Sequence, residues 1–90
     1  MNKREKEYCK LVGAAIRKLR QKKNKSVRLF AYENELPQAT LSRIERGDSE
    51  AKLVTLKKIA ESFGLSMKDF FSYIENQTVS NYKIFDDEHY

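Results

Sequence analysis

An all-α fold of five short helices is what this sequence predicts, on two kinds of signal. Apolar residues recur with a period near 3.6 in several stretches, and residues that start and stop helices fall between those stretches. The 90 residues make one domain, enough for a single small helical core and too few for a second.

The first helix is expected over residues 5 to 23, where Tyr8, Val12, Ala15, Ile16 and Leu19 recur at i, i+4, i+7, i+8 and i+11. Asn24 and Lys25 end it, and Ser26 is positioned to cap a second helix whose first-turn N–H groups face outward and attract phosphate. The Leu36-Pro37 step then breaks the chain, because proline fixes its own φ and holds the residue before it extended, which suits a new helix start. A third helix covers residues 38 to 46 and stops at Gly47. The fourth runs from 53 to 63, with Leu53, Leu56, Ile59, Ala60 and Phe63 on one stripe and Gly64 past its end. The fifth opens on a clear signature: Ser66 as N-cap, Asp69 three residues on, and Leu65 facing Phe70 as a hydrophobic staple. Residues 1–75 are thus expected to form the domain and 76–90 a polar tail, whose Tyr82-Lys83-Ile84-Phe85 run reads as either a docking strand or a mobile end.

The net charge of +5 is unevenly spread. Residues 1–28 hold 11 Lys/Arg against 2 acidic residues, whereas residues 29–90 hold 7 against 11. A basic first third beside a polar helix is the electrostatic footprint of a nucleic-acid binder. No apolar run approaches the 18 or so residues of a membrane span and the N-terminal region lacks the core of a signal peptide, so a cytoplasmic protein is expected. Cys9 stands alone, which excludes an internal disulfide or a cysteine-based metal site. His89 has no partner at ligand spacing, and no cofactor or small-molecule ligand is implied. Nor is an enzyme: the chain has no nucleophile–base constellation and no phosphate-cradling Gly-rich loop.

The most informative stretch is VRLFAYENELPQATLSRIERG, from Val27 to Gly47. On a helix at about 100° per residue, Thr40, Leu41 and Ile44 fall on one side of segment 38–46, and Gln38, Ala39, Ser42, Arg43 and Arg46 on the other. Gln pairs with an adenine edge, Arg with guanine, Ala with a thymine methyl, and the major groove admits one helix. A polar face of this kind is common on ordinary amphipathic helices. What distinguishes this one is its neighbourhood: Ala31, five residues before Leu36, lets two helices cross closely, and Phe30, Leu36, Leu41 and Ile44 supply the apolar contact of a helix-turn-helix unit.

From about Val12 to Phe71, roughly two thirds of the chain, the sequence resembles the Cro/repressor-type (XRE) family. IRKLR, Phe30-Ala31, LSRIERG and TLKKIAESFGLSMKDFF all fall at the family's spacing, an agreement more specific than any single motif. The resemblance implies a five-helix, lambda-repressor-like helix-turn-helix domain and a sequence-specific DNA-binding transcription regulator. It also implies an internal salt bridge between Arg20 and Glu45 that orients the reading helix, and a two-fold dimer on half-sites about one helical turn apart. We expect base reading by Gln38, Ala39, Ser42 and Arg43, and backbone contacts from Lys25, Ser26, Arg28, Arg46 and Lys52, with Arg17 as an outside candidate. The dimer contact is expected on the fifth helix, where Phe70, Phe71, Tyr73 and Ile74 spread apolar side chains around much of the circumference, unless the tail folds back over them.

Three departures from the family pattern stand out. Val27 occupies the position usually filled by a phosphate-binding Gln, and Glu35 the turn position usually filled by Gly, so that either Glu35 or Asn34 must take any left-handed conformation needed there. Asp48 and Glu50 stand where many relatives carry Lys or Arg. Val27 and the acidic loop suit a rival reading, a protein-interaction module of the same fold such as an antitoxin or a coactivator-like adaptor.

Overall fold

The computed structural model describes residues 1–77 and 83–85. Five helices follow one another: α1 (Lys3–Lys22), α2 (Val27–Glu33), α3 (Gln38–Arg46), α4 (Leu53–Ser62) and α5 (Met67–Asn76). The third matches its expected limits, α2 and α5 start directly behind the expected caps, and the ends of α1 and α4 differ by one or two residues. α1 begins earlier than expected because of a capping box: the Glu5 amide donates to Asn2 Oδ1 at 2.9 Å and the Asn2 amide to Glu5 Oε1 at 2.8 Å. Ser26 and Ser66 do cap α2 and α5, accepting from the amides of Leu29 and Asp69.

Each of the first four helices ends in the same turn. A residue at or just after the cap adopts a left-handed conformation, and the next amide reaches back five residues: Lys25 to Arg20, Leu36 to Ala31, Asp48 to Arg43, Leu65 to Ala60. Gly47 and Gly64 fill the left-handed position in two of these turns, with φ of 75° and 70°, but Asn24 and Glu35 fill it in the others, both at φ 55°. Glu35, rather than Asn34, therefore carries the backbone strain. Asn34 is buried instead: its side-chain amide donates to the Phe30 carbonyl at 2.9 Å while its Oδ1 accepts from Ser62 at 2.6 Å, tying the end of α2 to α4.

The core is built from Ile16, Phe30, Leu41, Ile59, Phe70 and Ile74, all fully buried. Each such side chain removed from water stabilises by about 1.5–3 kcal/mol. Phe30 stacks on Phe63 with centroids 5.0 Å apart, joining α2 to the end of α4. α1 and α3 approach closely at Gly13, where an added Cβ would lie 2.5 Å from the Glu45 carbonyl oxygen and nearer still to that of Ile44. Gly47 makes a second close approach, against the backbone of Lys10.

Two expectations need correction. Leu53, assigned to the core stripe of α4, is 74% exposed, as is its neighbour Val54 at 67%; the helix starts at Leu53, beyond the reach of its partners. Phe70 and Ile74, assigned to a dimer contact, are core residues with no exposed surface, because α5 packs against both α1 and α4 and so buries more than one stripe. Phe71 and Tyr73 remain half-buried. Of the tail, Tyr82 and His89 lie outside the described residues. The Lys83 carbonyl accepts from Arg4 Nη1 at 3.2 Å, and Ile84 and Phe85 are exposed. No helix among the described residues is long and apolar enough to cross a membrane.

Candidate nucleic-acid interface

α3 is amphipathic in the sense its sequence requires. Leu41 and Ile44 are buried against α1 and α2, while Gln38, Ala39, Arg43 and Arg46 are exposed and Ser42 and Thr40 are half-exposed. Pro37 sets the start, with φ −60° and ψ 139°, and its carbonyl accepts from the amides of Thr40 and Leu41. No side chain caps this end.

The orientation of α3 is set by one guanidinium. Arg20 Nε and Nη2 donate to the two carboxylate oxygens of Glu45 at 2.8 and 2.9 Å, a bidentate fork, and Nη1 donates to the Lys25 carbonyl at 2.8 Å. The side chains are only 9% and 6% exposed, so this is a buried pair rather than a solvated one. Hydrogen bonding to Glu45 raises the Arg20 pKa above its ordinary value, outweighing the opposite effect of burial. One residue thereby links the end of α1, the α1–α2 turn and the reading helix.

The candidate backbone contacts lie in the α1–α2 turn, on α2, at the end of α3 and just before α4. Arg28 and Lys52 are exposed and make no ion pair with described residues, and the same holds for Arg43 on α3. Ser26 is exposed, but its hydroxyl oxygen is occupied as the cap of α2. Lys25 Nζ pairs with Glu33 Oε1 at 2.7 Å, and Arg46 Nε with Asp48 Oδ2 at 2.8 Å. Arg17 is exposed on α1. Among the described residues no group of three or more His, Cys, Asp or Glu is arranged to hold a metal.

Three positioning residues escaped the sequence reading. Gly13 carried a signal, a glycine deep inside a helical pattern, which costs helix stability unless something approaches closely. Asn34 and Ser62, apart in sequence, carried none that a single chain reveals. Tyr8, Cys9, Val12, Ile44, Leu56 and Phe71 line an apolar groove of about 190 Å³.

Five helices with a polar, outward-facing third helix fixed by a buried ion pair define a compact helix-turn-helix protein. A model of the helix-turn-helix family matches residues 16–70. The chain belongs to this family, in its Cro/repressor-type (XRE) branch, a group of DNA-binding transcription regulators. It is 35% identical over 66 residues to the control protein C.MunI of a Mycoplasma species, covering 72% of this chain and 89% of that one. Two crystal structures of the clp gene regulator ClgR from Corynebacterium glutamicum, each 26% identical, superpose with TM-scores of 0.71 and 0.69. They cover 78% and 77% of this chain, and 74% and 88% of their own.

Proposed function

We propose that this chain is a sequence-specific regulator that places α3 in the major groove as a two-fold dimer on a palindromic operator. Gln38, Ala39, Ser42 and Arg43 read base edges; Lys25, Arg28, Arg46 and Lys52 hold phosphates, with the α2 start at Ser26 beside them. The observation that carries the reading is that Gln38, Ala39 and Arg43 stand exposed on the polar face of α3 while the helix is locked through Glu45 to Arg20. Fixing the reading helix before DNA arrives spares the ordering cost at binding. The similarity to a control protein supports a regulatory role.

Arg43 is the first specificity residue, since a bidentate arginine–guanine contact is the commonest base-reading pair. Selection of bound sites from a random DNA pool yields the operator; binding of Arg43→Ala across single-base variants of it then tests the role. The substitution is expected to cost about 1–3 kcal/mol and to relax preference at one position per half-site. A loss uniform over all sequences assigns Arg43 to a phosphate, and failure to enrich any sequence overturns the reading in favour of an interaction module, to which Val27 and the acidic Asp48 and Glu50 are suited.

A further inference from the structure

Two of the candidate phosphate-binding cations are held by carboxylates. Lys25 Nζ lies 2.7 Å from Glu33, and Arg46 Nε lies 2.8 Å from Asp48. Both residues adjoin the reading helix. Arg46 is the last residue of α3, and the Lys25 carbonyl shares the Arg20 guanidinium with Glu45 of α3. Lys57–Glu61, by contrast, is an ordinary i,i+4 pair along α4 at 3.5 Å. The chain therefore places acids against cations beside the face it offers to DNA, one within the loop after α3 and one at the end of α2.

We propose that Glu33 and Asp48 act as internal competitors for phosphate, engaging Lys25 and Arg46 in the free protein so that each must exchange a carboxylate for a phosphate when DNA binds. The inference rests on the DNA-reading function of α3 proposed above. Generic DNA affinity comes almost entirely from cations meeting phosphates and releasing counterions. A cation already paired contributes only the difference between its two partners, so binding to arbitrary sequence is weakened and a larger share of the affinity must come from base contacts. Arg28 and Lys52, without such partners among the described residues, supply the remaining phosphate attraction.

An exposed ion pair contributes about 0–1 kcal/mol, so releasing one cation is expected to tighten binding by up to about fivefold. Removing any acid from a DNA-binding protein also tightens binding through the overall field, and Glu35→Gln, an exposed acid without an ion pair to described residues, measures that background. The experiment is a pair of double-mutant cycles, read by fluorescence anisotropy on a 20-base-pair duplex of arbitrary sequence and on the selected operator. Glu33→Gln is compared in the native and Lys25→Gln backgrounds, and Asp48→Asn in the native and Arg46→Gln backgrounds. We expect each acid substitution to tighten binding to both duplexes about two- to fivefold more than Glu35→Gln does, and to lose that excess when its cation is absent. An equal gain in both backgrounds, or a gain no larger than that of Glu35→Gln, overturns the proposal and leaves the DNA-reading function intact. If the unaltered protein binds neither duplex nor any selected sequence, the functional reading falls and this inference falls with it.

Discussion

Arg20 meets Glu45 through two parallel hydrogen bonds of 2.8 and 2.9 Å, almost wholly out of water, across a sequence separation of 25 residues. The pair fixes the angle of α3 against α1, and breaking it from either side strands a charge in the interior.

Arg20→Ala is therefore expected to cost about 3–5 kcal/mol. At roughly 4–8 °C per kcal/mol for a domain of this size, the melting temperature falls by more than about 12 °C. Arg20→Lys recovers only part of the loss, because an ammonium lacks the planar fork and cannot also reach the Lys25 carbonyl. Thermal melts followed by circular dichroism check both variants. An unchanged transition in Arg20→Ala would mean that α3 is held by its apolar contacts alone.

At Gly13 the constraint is steric. The carbonyls of Ile44 and Glu45 occupy the space a methyl would need, so Gly13→Ala forces α1 and α3 apart. Overpacking of this kind costs about 1–3 kcal/mol, less up to about 1 kcal/mol regained from helix propensity. Because the displaced element is the reading helix, DNA affinity should fall even under conditions where the variant is fully folded. Anisotropy at 10 °C with a parallel melt separates the two effects, and a folded variant that binds normally would show that α3 tolerates the shift.

Glu35 offers the opposite sign. It is exposed and left-handed at φ 55°, a conformation costing a side chain about 1–2 kcal/mol. Glycine relieves that cost but loses more freedom on folding, so Glu35→Gly is expected to stabilise by about 0.5–1 kcal/mol in urea titration. Gly47→Ala, which adds both the left-handed strain and a collision with Lys10, is expected to destabilise by more than Gly64→Ala, where nothing lies within 4 Å. Equal costs at the two glycines would remove the Lys10 contact from the account.

The same residues show what could be read in the sequence. α3 and α5 were legible because each carries a boundary residue, Pro37 and Gly47 for one and Ser66 for the other, around a strongly periodic stretch. The outward set on α3 was legible because two buried residues, Leu41 and Ile44, fix a nine-residue helix's rotation. The pairing of Arg20 with Glu45 came from family resemblance, since periodicity cannot say that two distant charges meet. α5 misled for a physical reason. Phe70, Phe71, Tyr73 and Ile74 surround the helix, and nothing local tells which side α1 and α4 will cover; the answer is set by tertiary packing.

Tyr8 links α1 to α5 by donating to Glu75 Oε1 at 3.0 Å. Burial, with added contributions from the hydrogen bond and charge of Glu75, raises its pKa to about 12, from an ordinary value near 10. A folded-state pKa above the unfolded one favours the native state below pH 10, and that contribution is lost as pH rises from about 10 to 12. Urea unfolding at pH 9.5, 10.5 and 11.5 should thus show a steeper decline for the native sequence than for Tyr8→Phe, which has no proton to lose. Parallel declines would mean that the phenol titrates alike in both states.

With Phe70 and Ile74 inside the core, a dimer on this side of the molecule has to use what is left exposed. Phe71 lines the apolar groove, and Leu53 and Val54 stand on α4 between two other groove residues, Ala51 and Leu56, with most of their surface in water. In the proposed dimer these exposed apolar side chains are the candidates for the contact. Leu53→Glu and Phe71→Glu should each shift a dimer toward monomer in sedimentation equilibrium, Leu53→Glu without lowering monomer stability because its side chain buries little in the fold. Phe70→Glu, by contrast, should unfold the domain outright, since it buries a charge in the core. A dimer that persists in both Leu53→Glu and Phe71→Glu would move the contact to another face and leave the groove to a different role.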